Sequence, residues 1–199
     1  TLLFAYNELG EQTGVAVDLN GNNVIDLNGP DRIVTTERSW SLREGKATRK
    51  MLTKAYPTSN MPTAANLVAT ETAVDGLETW QTAAGLSSHE RTILEGDGNR
   101  TLTRTAPDGT QEVTQIRNGR VASVTRLSAD GAQISRQEST YDSLGRLISS
   151  SDARTGATTF GWDENDQLVN LTEPGSRLTS FTYDAAGRPD LTTLPDGEI

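Results

Sequence analysis

The sequence predicts an all-β protein, an antiparallel meander of hairpins, from three observations: a low apolar content, frequent glycine turns and an internal repeat. Of the 199 residues, 34% are hydrophobic and 18 are glycine. Together these make about 43% of the chain, slightly below the roughly 45–50% of an ordinary globular domain. Because the apolar supply is small for this length, a thin sheet with two solvated faces is favoured over one thick core.

The composition excludes several classes of function. With no cysteine, the chain has no disulfide scaffold, thiol nucleophile or thiolate metal site. The net charge of −9 argues against a nucleic-acid partner, because such partners need a basic surface. No apolar run approaches the roughly 18 residues of a membrane span, so we expect no membrane insertion. Neither terminus carries a recognisable signal, and we expect a section of a longer protein.

A 21-residue repeat near the C-terminus gives the hairpin unit. An aromatic residue followed by Asp ends three Thr/Ser-rich runs at equal spacing: Tyr141-Asp142, Trp162-Asp163 and Tyr183-Asp184. Three residues after the Asp stands Gly145 or Gly187, and Asp166 takes that place in the middle unit. Asp accepts hydrogen bonds from the backbone of a turn, and Gly supplies the positive φ that closes it. Each unit therefore predicts two short strands joined by a turn.

Glycine turns extend this pattern towards the N-terminus in weaker form. They fall 10 to 22 residues apart, at Asp75-Gly76, Asp97-Gly98, Asp108-Gly109, Asn118-Gly119 and Asp130-Gly131. Such spacing between β-branched segments is typical of short antiparallel strands. We therefore divide the chain into a poorly legible β-rich region, residues 1–70, and a region of hairpin repeats, residues 71–199. The repeats are degenerate over 71–138 and clear over 139–199.

The motif Tyr-Asp-x-x-Gly-Arg, with a Pro-Asp-Gly turn at residues 195–197, resembles the YD repeat of the Rhs family. That family includes bacterial Rhs and wall-associated proteins, the shell component of insecticidal toxin complexes, and teneurins. The motif is complete at residues 141–146 and 183–188, whereas Asp166 and Gln167 replace Gly and Arg in the middle unit. Pro189 also departs from the usual Leu, and it lacks the N–H that a strand ladder uses.

The resemblance implies an all-β ribbon that winds into a spiral and, with many more repeats, closes as a hollow shell. For this chain we expect a curved or spiralling sheet that stays open, with the three repeat aromatics in a ladder on one face. The implied function is structural: a scaffold module of a large bacterial protein, secreted or on the cell surface, that contributes to an encapsulating β-shell. Its partners would be the rest of the parent polypeptide and the encapsulated domain.

A second hypothesis is a carbohydrate-binding or adhesion module at the cell surface. Aromatic side chains on a sheet can stack on sugar rings, and the candidates are Trp40, Trp80, Tyr141, Trp162 and Tyr183. The two hypotheses differ in where the repeat aromatics point. Rings packed into neighbouring hairpins favour a structural role, and rings that line an open groove favour glycan binding.

The arginines of the repeat, Arg146 and Arg188, are expected to be structural. A guanidinium at this position can bridge to Asp142 or Asp184 of its own turn, or to the backbone of the neighbouring unit. The functional alternative is recognition of an anion or a sugar.

One loop in the N-terminal region is the best candidate for a metal site. Side-chain oxygens recur there at close, mostly alternate positions: Asp18, Asn20, Asn22 and Asp26. This is the spacing with which a Ca²⁺ loop wraps a hard cation. An EF-hand would require Gly at the position of Asn23 and Glu at that of Gly29, so a polar turn without metal is the alternative. Calcium apart, we expect no cofactor.

The rest of the N-terminal region contains strand pieces at residues 33–36 and 39–42. Residues 43–54 carry five basic side chains, four of them at helical spacing, so a short helix and a basic strand edge are both open. We expect these charges to form a solvated face rather than a binding patch for an anion. Residues 56–73 are either a loop or a poorly formed strand pair, and a candidate domain boundary.

Catalytic residues are not evident. His89 is the only histidine, and beside a turn we expect it to be a surface residue rather than a general base. The sequence contains neither a Gly-x-Ser-x-Gly elbow nor a Gly-Lys-Ser/Thr phosphate loop. None of its 27 acidic residues is singled out as a catalytic pair. We therefore predict that the chain is not an enzyme.

Overall fold

The computed structural model describes residues 1–56 and 64–197, and this part of the chain forms sixteen β-strands. They are β1 (Leu2–Tyr6), β2 (Gln12–Val17), β3 (Arg32–Arg43), β4 (Lys46–Tyr56), β5 (Ala65–Ala73), β6 (Glu78–Ala83), β7 (Leu86–Gly96), β8 (Asn99–Thr105), β9 (Gln111–Arg117), β10 (Arg120–Leu127), β11 (Gln133–Tyr141), β12 (Leu147–Asp152), β13 (Gly156–Trp162), β14 (Leu168–Glu173), β15 (Arg177–Tyr183) and β16 (Pro189–Thr193). Within these ranges there is no helix of the length and apolarity needed to cross a membrane.

The strands form an antiparallel meander. Their hydrogen-bonded order is the order of the chain, from β1 at one edge to β16 at the other. Neighbouring strands run antiparallel, as in the β1–β2 and β15–β16 pairs at the two ends of this order. A meander follows because short turns place each strand beside its predecessor. The predicted all-β fold, an open antiparallel meander of hairpins, is thus confirmed.

The chain divides into two compact units. The first comprises Thr1–Thr92 with Arg104–Asp108, and the second comprises Ile93–Thr103 with Gly109–Ile199. The sequence analysis divides the chain at residue 70, where the repeat becomes recognisable in the sequence. That division stays a prediction.

Strands β3 and β4 of the first unit decide what residues 33–54 form, which the sequence left open. β3 runs unbroken, so the strand pieces at residues 33–36 and 39–42 belong to one strand. Glu44 and Gly45 both adopt positive φ, 51° and 79°, in a two-residue turn that returns the chain as β4. β4 pairs with β3 along its whole length. Arg43 therefore lies on β3 and the other four basic residues on β4, which is paired on both sides. The helix alternative is wrong because the long ladder outweighs the helical spacing, and β4, the strand that carries these charges, is not an edge strand.

The stretch from residue 56 to residue 73 contains a regular strand. Its second part is β5, which pairs with β4 on one side and with β6 on the other. Residues 57–63 lie outside the described residues, so the domain boundary suggested for this stretch stays a prediction.

The three aromatic–Asp hairpins of the second unit share one register. The ladder shifts just before each aromatic, at Thr140/Tyr141, Gly161/Trp162 and Thr182/Tyr183. A bulge at this position re-aims the side chain that follows it. In the third hairpin Pro189 stands opposite Tyr183 without interrupting the pairing, because proline is tolerated at the first position of a strand.

Little apolar surface is enclosed. Within the described part of the chain, the buried apolar side chains are Ala16, Ile33, Ala73 and Trp80, all of the first unit. The buried polar side chains are Asp18, Asp31, Thr48, Glu78, Ser123, Thr125 and Thr179. A thin core is therefore a property of this architecture, in which buried polar groups depend on hydrogen bonds.

Candidate functional site: the turn array of the repeats

The turns at residues 142–146, 163–167 and 184–188, called here the turn array, are built around their first residue, Asp. In the first turn, Oδ1 of Asp142 accepts hydrogen bonds from the backbone N–H groups of Leu144 at 3.0 Å and Arg146 at 2.9 Å. The Nε of Arg146 donates to Oδ2 of Asp142 at 2.7 Å. The N–H of Gly145 donates to the Asp142 carbonyl at 3.0 Å. One carboxylate thus organises the whole turn.

The third turn repeats this geometry. Oδ1 of Asp184 accepts from the N–H groups of Ala186 and Arg188, both at 2.9 Å. The Nε of Arg188 donates to Oδ2 of Asp184 at 2.7 Å, and the N–H of Gly187 donates to the Asp184 carbonyl at 2.9 Å. Two turns 42 positions apart in the sequence therefore have one internal structure.

The degenerate middle turn keeps the same backbone with different residues. Oδ1 of Asp163 accepts from the N–H groups of Asn165 at 2.8 Å and Gln167 at 2.9 Å. Asp166 stands where the other turns have Gly and adopts the same left-handed conformation, with φ at 63°. Asp is one of the few residues besides Gly that visits this region readily. The departures from the family motif at Asp166 and Gln167 therefore leave the turn itself intact.

Arginine stabilises the ionised form of the Asp in both complete turns. The side-chain hydrogen bond from Arg146 is the main reason that the pKa of Asp142 lies below its ordinary value. For Asp184, the backbone N–H of Arg188 contributes most to lowering the pKa, followed by the Arg188 side chain. The pKa of Arg146 is raised in turn, chiefly by Asp142.

The repeat aromatics link each hairpin to the one before it. Each polar ring atom donates to a main-chain carbonyl: Tyr141 Oη to Val121 at 3.1 Å, Trp162 Nε1 to Leu147 at 2.8 Å, and Tyr183 Oη to Leu168 at 2.8 Å. Leu147 and Leu168 occupy one structural position, the first residue of β12 and of β14, whereas Val121 is the second residue of β10. The rings are half-buried, and their polar ends engage neighbouring hairpins.

The last residue of the first turn and that of the second reach in the opposite direction, towards the next turn. Nη1 of Arg146 donates to the Asp163 carbonyl at 2.9 Å and to Oδ1 of Asp166 at 2.8 Å. Its guanidinium also lies 5.9 Å from the centroid of the Trp162 ring. Gln167, in the same position one unit later, donates from Nε2 to the Gly187 carbonyl at 3.1 Å. Consecutive turns are thus joined by a side chain as well as by the strands.

Arg120 also lies against the following turn, although it is outside the repeat motif recognised in the sequence. It follows the Asn118-Gly119 turn, and its guanidinium lies 5.8 Å from the centroid of the Tyr141 ring. A Cβ atom on Gly145 would overlap this guanidinium, so a larger residue would displace the end of the Arg120 side chain, and the φ of 88° disfavours it as well. The Gly-Arg dipeptide at 119–120 was the signal that could have identified it.

A second cluster of polar side chains lies in the first unit, around Trp80. The Trp80 ring is 3% exposed and stacks on His89 with 4.8 Å between ring centroids and 4° between planes. The Arg43 guanidinium lies 5.3 Å from the Trp80 ring. Trp80, a candidate for stacking on sugar rings at the sheet surface, is therefore buried, whereas the His89 side chain is 29% exposed. The β6–β7 register, which pairs Trp80 with His89, brings them together.

Glu78 is the buried charge of this cluster. Its carboxylate accepts a hydrogen bond from Lys46, and it lies 3.4 Å from Nε of Arg91 and 3.4 Å from Nε2 of His89. The hydrogen bond from Lys46 is the largest cause of the lowered pKa of Glu78, and the charges of Lys46 and Arg91 add to it. A buried carboxylate is stable in this form because cations surround it.

The predicted calcium residues lie in one loop, where their side chains bind the protein's own donors. Asp18 accepts from the N–H groups of Gly21 at 2.7 Å and Asn23 at 2.9 Å, and the bond from Asn23 is the main cause of its lowered pKa. Oδ2 of Asp26 accepts from Nδ2 of Asn20 at 3.0 Å and of Asn22 at 2.6 Å.

A further carboxylate in this loop was not predicted. Buried Asp31 accepts from the N–H groups of Leu19 at 3.0 Å and Asp26 at 3.1 Å. In the described residues no group of three or more His, Asp or Glu side chains is arranged to hold a metal ion. Calcium in this loop stays a prediction.

Fold and turn array together define a β-hairpin repeat protein. The family model described as RHS Repeat matches residues 141–177 and 162–199, the stretch that contains the turn array. Residues 141–199 of the chain therefore match the Rhs repeat.

Solved structures similar to the chain are much longer than it. A crystal structure described as TcdB2-TccC3-TEV has 13% identity and a TM-score of 0.39, and the match covers 97% of this chain and 12% of that one. A second, described as TcdB2-TccC3-Cdc42, has 12% identity and a TM-score of 0.28, with 97% and 14% coverage. The chain thus spans about an eighth of their length. No curated protein matches it.

Proposed function

We propose that this chain is a structural module of a large bacterial Rhs-like protein, secreted or displayed at the cell surface, and that it contributes to an encapsulating β-shell. The observation that carries the proposal is the turn array, in which the repeat side chains bind neighbouring turns and hairpins. Its partners are the rest of the parent polypeptide and the domain that the shell encloses.

The contacts of the motif residues support a structural role over a catalytic one. The Asp142 carboxylate accepts three hydrogen bonds within its own turn, and Arg146 adds two in the next turn. Catalytic groups need a free donor, acceptor or nucleophile beside a substrate. We therefore propose a module without catalytic activity.

A role as the wall of a shell explains why the side-chain contacts connect consecutive hairpins of the repeat. Two-stranded hairpins are marginally stable alone, and a repeat protein gains stability from each interface between neighbours. Trp162 binds backward to Leu147 while Arg146 binds forward to Asp163. Each hairpin is therefore held to its predecessor by two side-chain links besides the ladder, which suits a wall that must not open.

Limited proteolysis of the parent polypeptide tests the proposal. We expect the enclosed domain to resist a protease that digests the same domain expressed alone. Tyr183→Ala, which removes a link of the turn array, should make it cleavable, whereas Tyr6→Phe on the exposed edge strand β1 should not. A parent protein whose other domains are all cleaved at the rate of the isolated domains would overturn the encapsulating function.

A carbohydrate-binding role remains the second candidate because of one residue. Trp40 on β3 is 70% exposed, unlike the buried Trp80. A glycan array with the wild-type chain and Trp40→Ala tests it. Binding that is lost in the variant would support adhesion, and an array without binding would remove this candidate.

A further inference from the structure

We infer that an internal edge of the sheet, the part of β3 that extends beyond β2, is a docking site for an extended peptide segment of another polypeptide. The occupant adds one antiparallel strand beside Arg38, Trp40 and Leu42. It has a carboxylate opposite the arginine and apolar side chains opposite the other two. The inference rests on the geometry of β3, and it holds whether or not the module encloses a domain.

This edge exists because β2 covers only the first part of β3. β4 pairs with β3 along its whole length, whereas β2 pairs with residues 32–35 alone. Beyond that point the chain turns back to β1. In the turn, the N–H of Glu11 donates to Oδ1 of Asn7 and its C=O accepts from the N–H of Asn7, both at 2.9 Å. In the described part of the chain, residues 38–43 are therefore paired on one side only.

The main-chain groups of three residues point to the open side of this edge. The two-residue turn between β3 and β4 places Arg43 and Lys46 opposite each other as a hydrogen-bonded pair. Such pairs alternate along an antiparallel ladder, so the groups that point away from β4 belong to Leu42, Trp40 and Arg38. An added strand would bind these N–H and C=O groups, which supply the affinity in this mode of peptide recognition.

The side chains of the same three residues determine which peptide fits. They lie on one face of the strand, because alternate residues share a face. Trp40 is 70% and Leu42 78% exposed, and in the described residues neither a second ring nor a guanidinium covers the Trp40 indole. Apolar side chains on the incoming strand would bury both residues.

The charge along this edge favours an acidic peptide. On the other face, Glu37 binds Lys54 at 2.5 Å and Arg43 binds Glu71 at 3.1 Å. Arg38 is 45% exposed, and its ion pair with the equally exposed Glu11 is 3.8 Å long, a kind of pair that contributes little.

Arg49 adds to the positive charge of this face. It stands directly opposite Trp40 on β4, and it forms no ion pair with a described residue. Opposite charge on the partner therefore provides the discrimination that a bare strand edge lacks.

Binding of a designed peptide to the full chain tests the inference. The probe is Thr-Leu-Thr-Val-Thr-Glu-Thr with blocked ends. In antiparallel register it places Leu opposite Leu42, Val opposite Trp40 and Glu opposite Arg38. Amide exchange of the protein is followed residue by residue with increasing peptide.

Three further peptides are the controls. One has Lys in place of Glu. A second is methylated on the main-chain nitrogens of Leu, Val and Glu, which would face β3. A third is methylated on the nitrogens of the central Thr residues, which would face away and leave binding intact.

The inferred site predicts slower exchange at the amides of Arg38, Trp40 and Leu42, by about tenfold once the peptide is at about ten times its Kd. The amides of residues 37, 39 and 41, which bond β4, should not change, nor should those of β1. The Lys peptide and the peptide methylated towards β3 should give no protection. Arg38→Ala in the protein should weaken binding of the acidic probe.

Absent protection at millimolar acidic peptide would overturn the inference. Equal binding of the Lys peptide, or equal protection of β1, would reduce the site to a general strand edge and overturn it as well. A response of the Trp40 ring without protection of the three amides would mean side-chain binding alone, as for a sugar. Protection that the protein gains by itself with increasing concentration would assign the edge to a second copy. Both of these results also contradict the inference.

Discussion

Arg146 and Asp163 are joined across two consecutive turns of the repeat: Nη1 of the arginine donates to the main-chain oxygen of the aspartate at 2.9 Å. The same guanidinium holds Asp142 of its own turn through Nε at 2.7 Å. A single side chain therefore orders one turn and fastens it to the next. Stability of the second unit should accordingly depend on Arg146 more than on the arginine that lacks the second contact, Arg188.

We expect Arg146→Ala to lower the urea midpoint of the second unit several times more than Arg188→Ala. Both variants lose the ion pair within the turn, but only the first also loses the bonds to Asp163 and Asp166. The measurement is amide exchange in urea, which resolves the second unit from the first.

Arg146→Gln serves as the intermediate variant. Gln167 shows that a glutamine at this position still donates to the next turn, at 3.1 Å to Gly187. The midpoint of Arg146→Gln should therefore lie between wild type and Arg146→Ala. Equal midpoints for Arg146→Ala and Arg188→Ala would mean that the link between turns contributes nothing.

The hydroxyl of Tyr183 offers a test of the backward links. Tyr183→Phe keeps the ring and removes the donor that binds the Leu168 carbonyl at 2.8 Å. We expect a loss of about 0.5–1.5 kcal/mol in the free energy of unfolding of the second unit. Tyr6→Phe, on the exposed strand β1 of the first unit, is the control and should leave that free energy unchanged. A Tyr183→Phe chain as stable as wild type would show that water replaces the lost bond at no cost.

The turn chemistry made the meander predictable from sequence. Asp142 and Gly145 act within four residues of each other, and local patterns of this kind reveal the turn, its spacing and hence the hairpins. The contacts between hairpins were less accessible, because Trp162 meets Leu147 only once strand register is fixed. Register in turn depends on the bulge before each aromatic, for which the sequence carries no separate signal.

The cluster around Trp80 shows the same limit in the first unit. Glu78 lies two residues after the Asp75-Gly76 turn that the sequence does reveal, yet its cationic partners come from other strands. Lys46 is on β4 and Arg91 on β7. A search by composition or motif reads such residues as separate surface charges, and the stacking of His89 on Trp80 was missed for that reason.

Acid should destabilise the first unit through Glu78. Its pKa in the folded chain is lowered from the ordinary value of 4.5, mainly by the hydrogen bond from Lys46. A lowered pKa means that the stabilisation is fully present above about pH 4.5 and is lost as the pH falls through the folded-state pKa. Glu78→Gln should be about 1 kcal/mol less stable at neutral pH, the difference between a charged and a neutral hydrogen bond.

The pH profile distinguishes this effect from a packing defect. Unfolding in urea, measured for the first unit from pH 6 down to pH 3, should show a smaller loss of stability in Glu78→Gln than in wild type. Parallel profiles for the two proteins would assign the acid sensitivity to other carboxylates.

Removal of divalent cations tests the loop of Asp18 and Asp26. Their carboxylates already accept hydrogen bonds from the protein, at 2.7 Å from Gly21 and 2.6 Å from Asn22. We therefore expect the polar-turn alternative, with an equal Tm in EDTA and in millimolar calcium. A Tm that rises with calcium in the wild-type chain but not in Asp18→Asn would instead establish a calcium site. The reason is that a ligand bound by the folded state stabilises that state.

Two causes favour glycine at position 145, its positive φ and the nearby Arg120 guanidinium, and they can be measured separately. Gly145 and Gly175 have similar φ, 88° and 82°, but only at Gly145 would a Cβ meet a neighbour, the Arg120 guanidinium. Gly175→Ala should therefore cost about 1–2 kcal/mol for the left-handed backbone alone. Gly145→Ala should cost more, because the arginine must also leave its place over the Tyr141 ring. In an Arg120→Ala background the excess should disappear, since nothing is left to displace. Urea unfolding of the four variants and wild type measures this coupling, and an excess that persists without Arg120 would place the constraint elsewhere in the turn.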